Sequence, residues 1–426
     1  MSEVAIQYSA DEAFDQKSLW NSGSTTFNVF EYEGQECELI SCQSIESIQS
    51  IKDDWLRLEA NSGEVFTYFQ TYDWCFNWCS KFTEKTDTGP QIQVFLLKVN
   101  GQTALIWPMM QEKTSGDILV LRSLTESLGQ YCNWLYDCDV VTSDLAWQVW
   151  QNIHALCDAD AITLTNVAET SLLATTVDGL GFKERIPQVS SILEYDGIDT
   201  WDSYYKSLSR SQRKERLRRA RKLEEQGDVS YEVYEAGSSE FKQYVEAAIV
   251  MKQQWLQETE RQSLALFDSR TIDFLKSLSV ENCSKDGKAF VHVLSLDNQP
   301  IALEIGMVLN RHYYSYLGSI DLEWKSFSPG KIQIDRAQKW AFDQGVQCFD
   351  FLSDPSDYKK SWSNKQFAMV SVSIPVTFRG RLYCSLWKSL LRPTLKDIYL
   401  KSGNRGREFM NLMTRFKENQ VEIKSD

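Results

Sequence analysis

Histidine is scarce in this chain: three occur in 426 residues, His154, His292 and His312, far apart from one another. Structural and catalytic metal sites need His, Cys or carboxylates at short, regular spacing. No such cluster is present, so no metal is expected. Nor is there the strand–turn–helix serine elbow of a Ser/His/Asp hydrolase. Ten cysteines are scattered, and the nearest pair, Cys75 and Cys79 in "WCFNWC", has a helix-face spacing and not CxxC. No apolar run approaches the roughly 20 residues that cross a bilayer. The opening "MSEVAIQYSADEAFDQKSLW" lacks a basic segment followed by an apolar one, so no secretory signal is expected. Free thiols in a reducing cytoplasm are the matching expectation. A net charge of −14 argues against general affinity for nucleic acid. What is abundant is apolar and aromatic: 42% and 12%, with 14 Trp, the composition of a globular protein. The length implies two domains of roughly 150–200 residues.

Residues 1–36 are polar with weak periodicity and are expected to form a poorly ordered leader. "ECELISC" (36–42) then alternates as a strand. Helical spacing follows over 44–60 and 68–82. Two apolar runs flanking Asn100-Gly101 read as a hairpin with a type I′ turn. A strand at 117–124, a helix from Ser143 as N-cap and a strand at 161–167 complete this half. The second half has a charged helix over 201–226 closed by Gly227, a strand at 229–236 and an amphipathic helix over 238–257 from a Ser cap. A hairpin turning at Asp297-Asn298, an aromatic strand at 311–320, a helix from about 330 and a strand at 346–352 follow. The two hairpins stand in the same order relative to their helices, which reads as a duplicated α/β unit. Two unrelated α/β domains are the alternative. The expected divisions are 37–194, 195–378 and a basic helical extension at 379–426.

"SFSPGKIQIDRAQKW" (326–340) joins the aromatic strand to the next helix. Proline is tolerated at a helix start, where the N–H groups lack partners anyway. Gly330 allows close approach of a ligand, and Lys331 adds a positive charge. A helix N-terminus so equipped suits an anion, although many helices begin this way and bind nothing.

Around this stretch stand Tyr316, Asp321, Ser328-Pro329-Gly330, Gly345, Asp350-Phe351, Tyr358-Lys359 and Trp362. Their order resembles the hallmark block of the CelD/BcsL-type acetyltransferases, GNAT-superfamily proteins related in fold to the FemABX peptidyltransferases. "DDWLRLEANSGEVFTYFQTYDWCFNWCSKF" and "SLSRSQRKERLRRARKLEEQG" resemble the lead-in segments of that family, so the likeness covers roughly 38–375. It implies two tandem GNAT-like domains, each a mixed, mostly antiparallel sheet flanked by helices. It also implies acetyl-CoA or another acyl-CoA as co-substrate in the second domain, with the pyrophosphate on Ser328, Pro329, Gly330, Lys331 and Ile332. The loop departs from the usual GNAT pattern in having one glycine where several are common. The implied role is a bacterial, cytoplasmic transfer of an acyl group to an amine or hydroxyl of a polysaccharide precursor, as in exopolysaccharide or cellulose biosynthesis. An aminoacyl-tRNA-dependent transferase of FemABX type and a degenerate, non-catalytic assembly factor are the alternatives.

Acyl transfer needs a proton acceptor and a group that stabilises the oxyanion. Glu304 interrupts the apolar "IALEIGMVL"; it is either a solvent-facing or salt-bridged structural group, or a general base. The resemblance makes Asp350 a site residue and puts Lys359 near the reacting carbonyl; backbone bonding at a strand end and a solvated Lys359-Lys360 pair are the alternatives. It implies Tyr316, Asp321 and Tyr358 as acceptor contacts. His312 reads as a turn residue and His292 as structural. No Cys or Ser sits in an activated pattern, so direct attack is expected, with Cys348 the one thiol near the block. "KSLSRSQRKERLRRARK" (206–222) carries nine basic residues and one acid, a solvated face, an anionic-substrate contact or a tRNA contact. "RGRLYCSLWKSLLRPTLKDIYLK" (379–401) patterns as a basic amphipathic helix that packs on its own domain or lies on an anionic membrane.

Overall fold

The structure is a computed structural model, and it describes residues 24–62, 64–83, 89–114, 116–126, 128–183, 188–261, 263–279, 281–284, 287–353 and 357–386. The first half holds strands β1 (Ser24–Tyr32), β2 (Gln35–Cys42), β3 (Gln91–Val99), β4 (Gln102–Lys113), β5 (Leu119–Ser123), β6 (Leu135–Tyr136), β7 (Ala161–Ala168), β8 (Phe182–Lys183) and β9 (Gln188–Glu194). Its helices are α1 (Ile45–Ser50), α2 (Lys52–Asn61), α3 (Tyr72–Phe82), α4 (Ser143–Leu156) and α5 (Leu172–Thr176). The second half holds β10 (Val229–Glu235), β11 (Lys288–Leu296), β12 (Gln299–Leu309), β13 (His312–Ile320), β14 (Cys348–Ser353) and β15 (Lys365–Pro375). Its helices are α6 (Trp201–Ser207), α7 (Arg210–Glu224), α8 (Ser239–Glu258), α9 (Leu264–Phe267), α10 (Ser269–Lys276), α11 (Pro329–Asp343), α12 (Asp357–Lys360) and α13 (Phe378–Leu382).

All 15 strands belong to one mixed sheet, in the order β1-β2-β3-β4-β5-β7-β15-β9-β14-β13-β12-β11-β10, with β6 and β8 off this path. The halves repeat. In each, four antiparallel strands (β2 to β5, β10 to β13) lead to a parallel neighbour, β7 or β14, reached through the crossover helix α4 or α11. Each then ends on a strand from the other half. β15 pairs with β7, β9 pairs with β14, and β15 and β9 pair with each other, all antiparallel. The exchange gives every strand at the seam two neighbours, so no edge is left there. The sheet therefore runs unbroken across the division expected at 194.

Both predicted hairpin turns form as expected: Asn100-Gly101 and Asp297-Asn298 all have positive φ, as a type I′ turn requires. Residues 24–36, expected in a disordered leader, instead supply β1 and the start of β2, hinged at Glu33-Gly34 with positive φ at both. The turn signal there was one glycine, and the flanking polar side chains hid the strand. The expected helix over 201–226 is two helices. Ser209 breaks it by accepting the Gln212 N–H while Gln212 caps back, a reciprocal cap that restarts the helix as α7. The N-cap of α4 is Thr142, which accepts the Leu145 N–H, and not Ser143. Most of the basic extension, from 387 onward, lies outside the described residues. Among the described residues no helix is long and apolar enough to cross a membrane.

One face of the sheet carries a core continuous across the seam: Trp55, Phe69 and Trp74 from the first half join Phe241, Ile249 and Phe274 from the second. The opposite face has separate cores, one under α4 with Trp107, Trp134 and Trp150, the other under α11 with Tyr313, Phe349, Ala337 and Ala341. Two buried carboxylates fasten the continuous side. Glu59 of α2 accepts the N–H groups of Tyr72 and Ser284, and Asp73 of α3 accepts the Ser279 N–H at 3.1 Å. Burial pushes Glu59 up to about 8 and Asp73 up to about 7, against the pull of those N–H donors.

Between the ordinary carboxyl value and about 8, native Glu59 holds a proton that the unfolded chain has released, so stability falls as pH rises through that window. Glu59→Gln, which cannot ionise, is expected to reduce this decline by on the order of 2 kcal/mol. Urea unfolding near pH 5 and near pH 8 measures it; equal declines in the two proteins would contradict the assignment.

Candidate active site where two parallel strands part

β13 and β14 pair only through His312–Cys348, Tyr313–Phe349 and Tyr314–Asp350. β13 then runs on to Ile320 with no β14 partner. Two local irregularities separate them. In β13, Tyr316 is an extra residue between Ser315, opposite Gly306, and Leu317, opposite Ile305. In β14, the register with β9 slips between Asp350 and Ser353, and Leu352 is left-handed at φ +64°. Bulges bend strands and end pairing in this way.

At the exit of β13 a 3₁₀ turn over Leu322–Phe327, capped by the Asp321 carboxylate on the Glu323 N–H at 3.0 Å, leads to α11. Ser328 is the N-cap in the left-handed region, φ +58°, with no side-chain cap bond, and Pro329 follows at the first helical position. The Ser328 carbonyl accepts the N–H of Lys331 at 3.0 Å. Proline has no N–H, so Gly330 supplies the one backbone N–H of this first turn without an acceptor among the described residues. Several such groups were expected, and the left-handed cap consumes the others. Gly330 also sits tightly: a Cβ there would lie 3.0 Å from Ile320 Cγ2.

The basic helix α7 flanks this turn. Arg216, 6% exposed, is wedged with its guanidinium 3.9 Å from the Trp362 ring centroid and 2.7 Å from Asp335 of α11. That ion pair and stack hold α7 against α11. Between them lie two cavities: one of about 350 Å³ lined by Trp201, Tyr205, Arg219, Lys331 and Arg336, another of about 290 Å³ lined by Ser211, Arg219, Lys331, Ser361 and Trp362. The basic run is thus partly structural, with Lys331 and Arg219 facing both cavities beside a helix N-terminus. Positive charge there favours anions.

Asp350, at 0% exposure in the last paired row, accepts from Tyr131 Oη at 2.9 Å, Ser190 Oγ at 2.5 Å, the Leu352 N–H at 2.7 Å and His312 Nε2 at 3.2 Å. Lys359, 9% exposed, donates to the carbonyls of Phe351 at 2.5 Å and Leu352 at 3.4 Å, fixing its ammonium at the bend of β14. It is not half of a solvated lysine pair. Tyr316 lies on the Asp350 side, its hydroxyl donating to the Leu128 carbonyl at 3.2 Å. Tyr358, on α12, is 49% exposed.

Glu304 is on the other face of the sheet. Its carboxylate accepts from Tyr313 Oη at 2.9 Å, whose hydroxyl is 2.9 Å from His292 Nε2, and His292 Nδ1 is 2.7 Å from Tyr231 Oη. Burial pushes Glu304 up to about 7 and His292 down to about 3. The structure therefore does not bring Glu304 together with Asp350 and Lys359; it is a buried network member, neither solvent-facing nor in a salt bridge among the described residues. His312 was expected in a turn and is instead buried in the first paired row. The signal available was period two: Cys348 and Asp350 share a strand face. Tyr131 and Ser190 had none, lying 219 and 160 residues from Asp350 in sequence.

Residues 210–360 match the model of the acetyltransferase (GNAT) domain, a span that runs from α7 to Lys360 and includes the parted strands. Comparison with curated proteins finds no match. Among solved structures the chain is similar to FemX, at 11% identity over 79% of this chain and 97% of that one, with a TM-score of 0.51. A tandem GNAT protein from the clavulanic acid biosynthesis pathway matches at 10% identity over 80% and 99%, with a TM-score of 0.47. The C-terminal domain of a putative lysylphosphatidylglycerol synthetase from Agrobacterium fabrum matches at 13% over 78% and 93%, also at 0.47. At such identity the FemX likeness is one of fold.

Ser328 carries the cost of a left-handed backbone with no side-chain cap bond in return. Ser328→Gly is expected to stabilise the chain by about 0.5–1 kcal/mol in urea unfolding; destabilisation would mean that the hydroxyl has a partner in solution.

Proposed function

We propose that this chain is an acyltransferase that takes acyl-CoA, most simply acetyl-CoA, into the space between β13 and β14. The acceptor is an amine or hydroxyl on a glycan, such as a cell-surface polysaccharide precursor. The observation that carries the reading is the three-row pairing of β13 and β14 followed by their parting, with the start of α11 at the exit. Unpaired strand edges bond readily to an extended, amide-bearing partner, and the pantetheine arm is one. The pyrophosphate suits the Gly330 N–H, with Lys331 and Arg219 beside it. The match of residues 210–360 to a GNAT domain supports the same class of chemistry.

Direct attack by the acceptor on the thioester develops negative charge on the carbonyl oxygen. Lys359, fixed at the bend by two carbonyls, provides positive charge for it. Asp350 positions: all of its carboxylate is enclosed, and it holds the last paired row. The glycan acceptor rests on the likeness of the block from Tyr316 to Trp362 to the CelD/BcsL-type sequences.

Coenzyme A is expected to raise the melting temperature. At a hundredfold excess over Kd the linkage is worth about 2.7 kcal/mol. Lys331→Glu should abolish the shift without lowering the melting temperature of the free protein, because the side chain is exposed. Stabilisation by tRNA alone would favour the aminoacyl-tRNA-dependent reading. No response to any acyl-CoA or to tRNA would favour the assembly factor.

A further inference from the structure

Cys348, His312 and Asp350 form a connected line of side chains, of which the proposed acyl transfer uses only Asp350, as a positioning group. Cys348 Sγ is 2.8 Å from His312 Nδ1, and His312 Nε2 is 3.2 Å from Asp350 Oδ2. Both ring nitrogens are therefore engaged, one on sulfur and one on carboxylate. The orientation is fixed from every side. Phe66 meets the ring edge-on at 5.4 Å and Tyr314 packs on it at 4.4 Å. Asp350 is itself held by Tyr131 and Ser190. A thiol bonded to a base that is oriented by a third group is the arrangement of an activated nucleophile.

The environment of Cys348 also differs from that of the core thiols. Cys75, Cys79 and Cys132 are buried, and burial pushes all three up. Cys348 is only partly buried, at the first residue of β14, next to exposed Gln347. Its cross-strand neighbour Glu194 is neutralised by Lys365 at 2.6 Å. Burial opposes charge on His312, but Cys348 and Asp350 outweigh it and push the ring up to about 9. Partial burial of Cys348 favours a small electrophile, and the balanced charge of the Glu194–Lys365 pair does not exclude a neutral one.

We propose that Cys348 is a reactive thiol that a small hydroperoxide oxidises reversibly to the sulfenic acid. With its proton on His312 Nδ1, the sulfur attacks the distal peroxide oxygen. An S–O bond forms and the O–O bond breaks; sulfur gives up two electrons, and the departing oxygen takes the proton from His312. The distal oxygen keeps its own hydrogen, leaving Cys348–SOH and water or an alcohol. An added thiol reverses the step by forming and then exchanging a mixed disulfide. The proposal stands whether or not the acyl-transfer reading does.

Exposed Cys138 serves as a control within the same chain. The reduced full-length protein is treated with iodoacetamide, and labelling of the two peptides is followed by mass spectrometry. Cys348 is expected to label at least about tenfold faster than Cys138 despite its lower exposure. His312→Gln should abolish that advantage and leave Cys138 unchanged. A second arm uses hydrogen peroxide with dimedone to trap the sulfenic acid, which should appear at Cys348 and disappear after added thiol or in Cys348→Ser. Labelling of Cys348 no faster than that of Cys138, or no dimedone adduct at Cys348, would overturn the proposal. Both wild-type readings stand if the His312 variant fails to fold.

Discussion

Asp350 is a carboxylate with no exposure to water, and the architecture around the site follows from satisfying it. A buried carboxyl group is tolerated only when its oxygens are bonded. Tyr131 and Ser190 come from the first half of the chain, and His312 and the Leu352 N–H from the second. The four donors converge on the last row that β13 and β14 share. One side chain thus joins the halves and marks where the strands stop pairing. The left-handed turn at Leu352 serves both ends: it aims its N–H at Asp350 and turns two carbonyls toward Lys359.

The exchanged strands tie this junction into both halves. β15 and β9 pair with each other and with the opposite half, so the parting of β13 and β14 is framed by continuous sheet. The corresponding pair in the first half, β5 and β7, also shares three rows. There, however, the chain between β5 and α4 is packed inward: Leu124, Leu128, Tyr131, Cys132, Trp134 and Leu135 are all buried. The first repeat buries the chain that follows its shared rows and lends Tyr131 to the second. The second repeat spans the same step with a short exposed turn and leaves its strand edge unpaired.

Local signals in the sequence were reliable where a single residue type decides the backbone. Asn100-Gly101, Asp297-Asn298, the Ser238 cap and the Pro329 helix start all formed as their chemistry dictates. Signals failed where the deciding partner is remote. Glu304 and Asp350 look alike in sequence, each a carboxylate in an apolar strand, yet they face opposite sides of one sheet. Only Tyr313 and His292 on one side, and Tyr131 and Ser190 on the other, tell them apart. The exchange of β9 and β15 was invisible for the same reason: each strand alternates normally, and its pairing partner is set by the other half. His312 was misplaced because a residue that follows Asn310-Arg311 belongs to a turn by local rule, while the strand begins one residue earlier than its aromatic run suggests.

Whether coenzyme A binds between β13 and β14, as proposed, is tested most directly by a crystal structure of the protein with coenzyme A. The predicted result has the pantetheine arm along β13 residues 315–320, facing the bend of β14 at 351–353, with the pyrophosphate bonded to the Gly330 N–H and close to Lys331. A coenzyme bound elsewhere on the sheet, or a pyrophosphate held away from the start of α11, would contradict it.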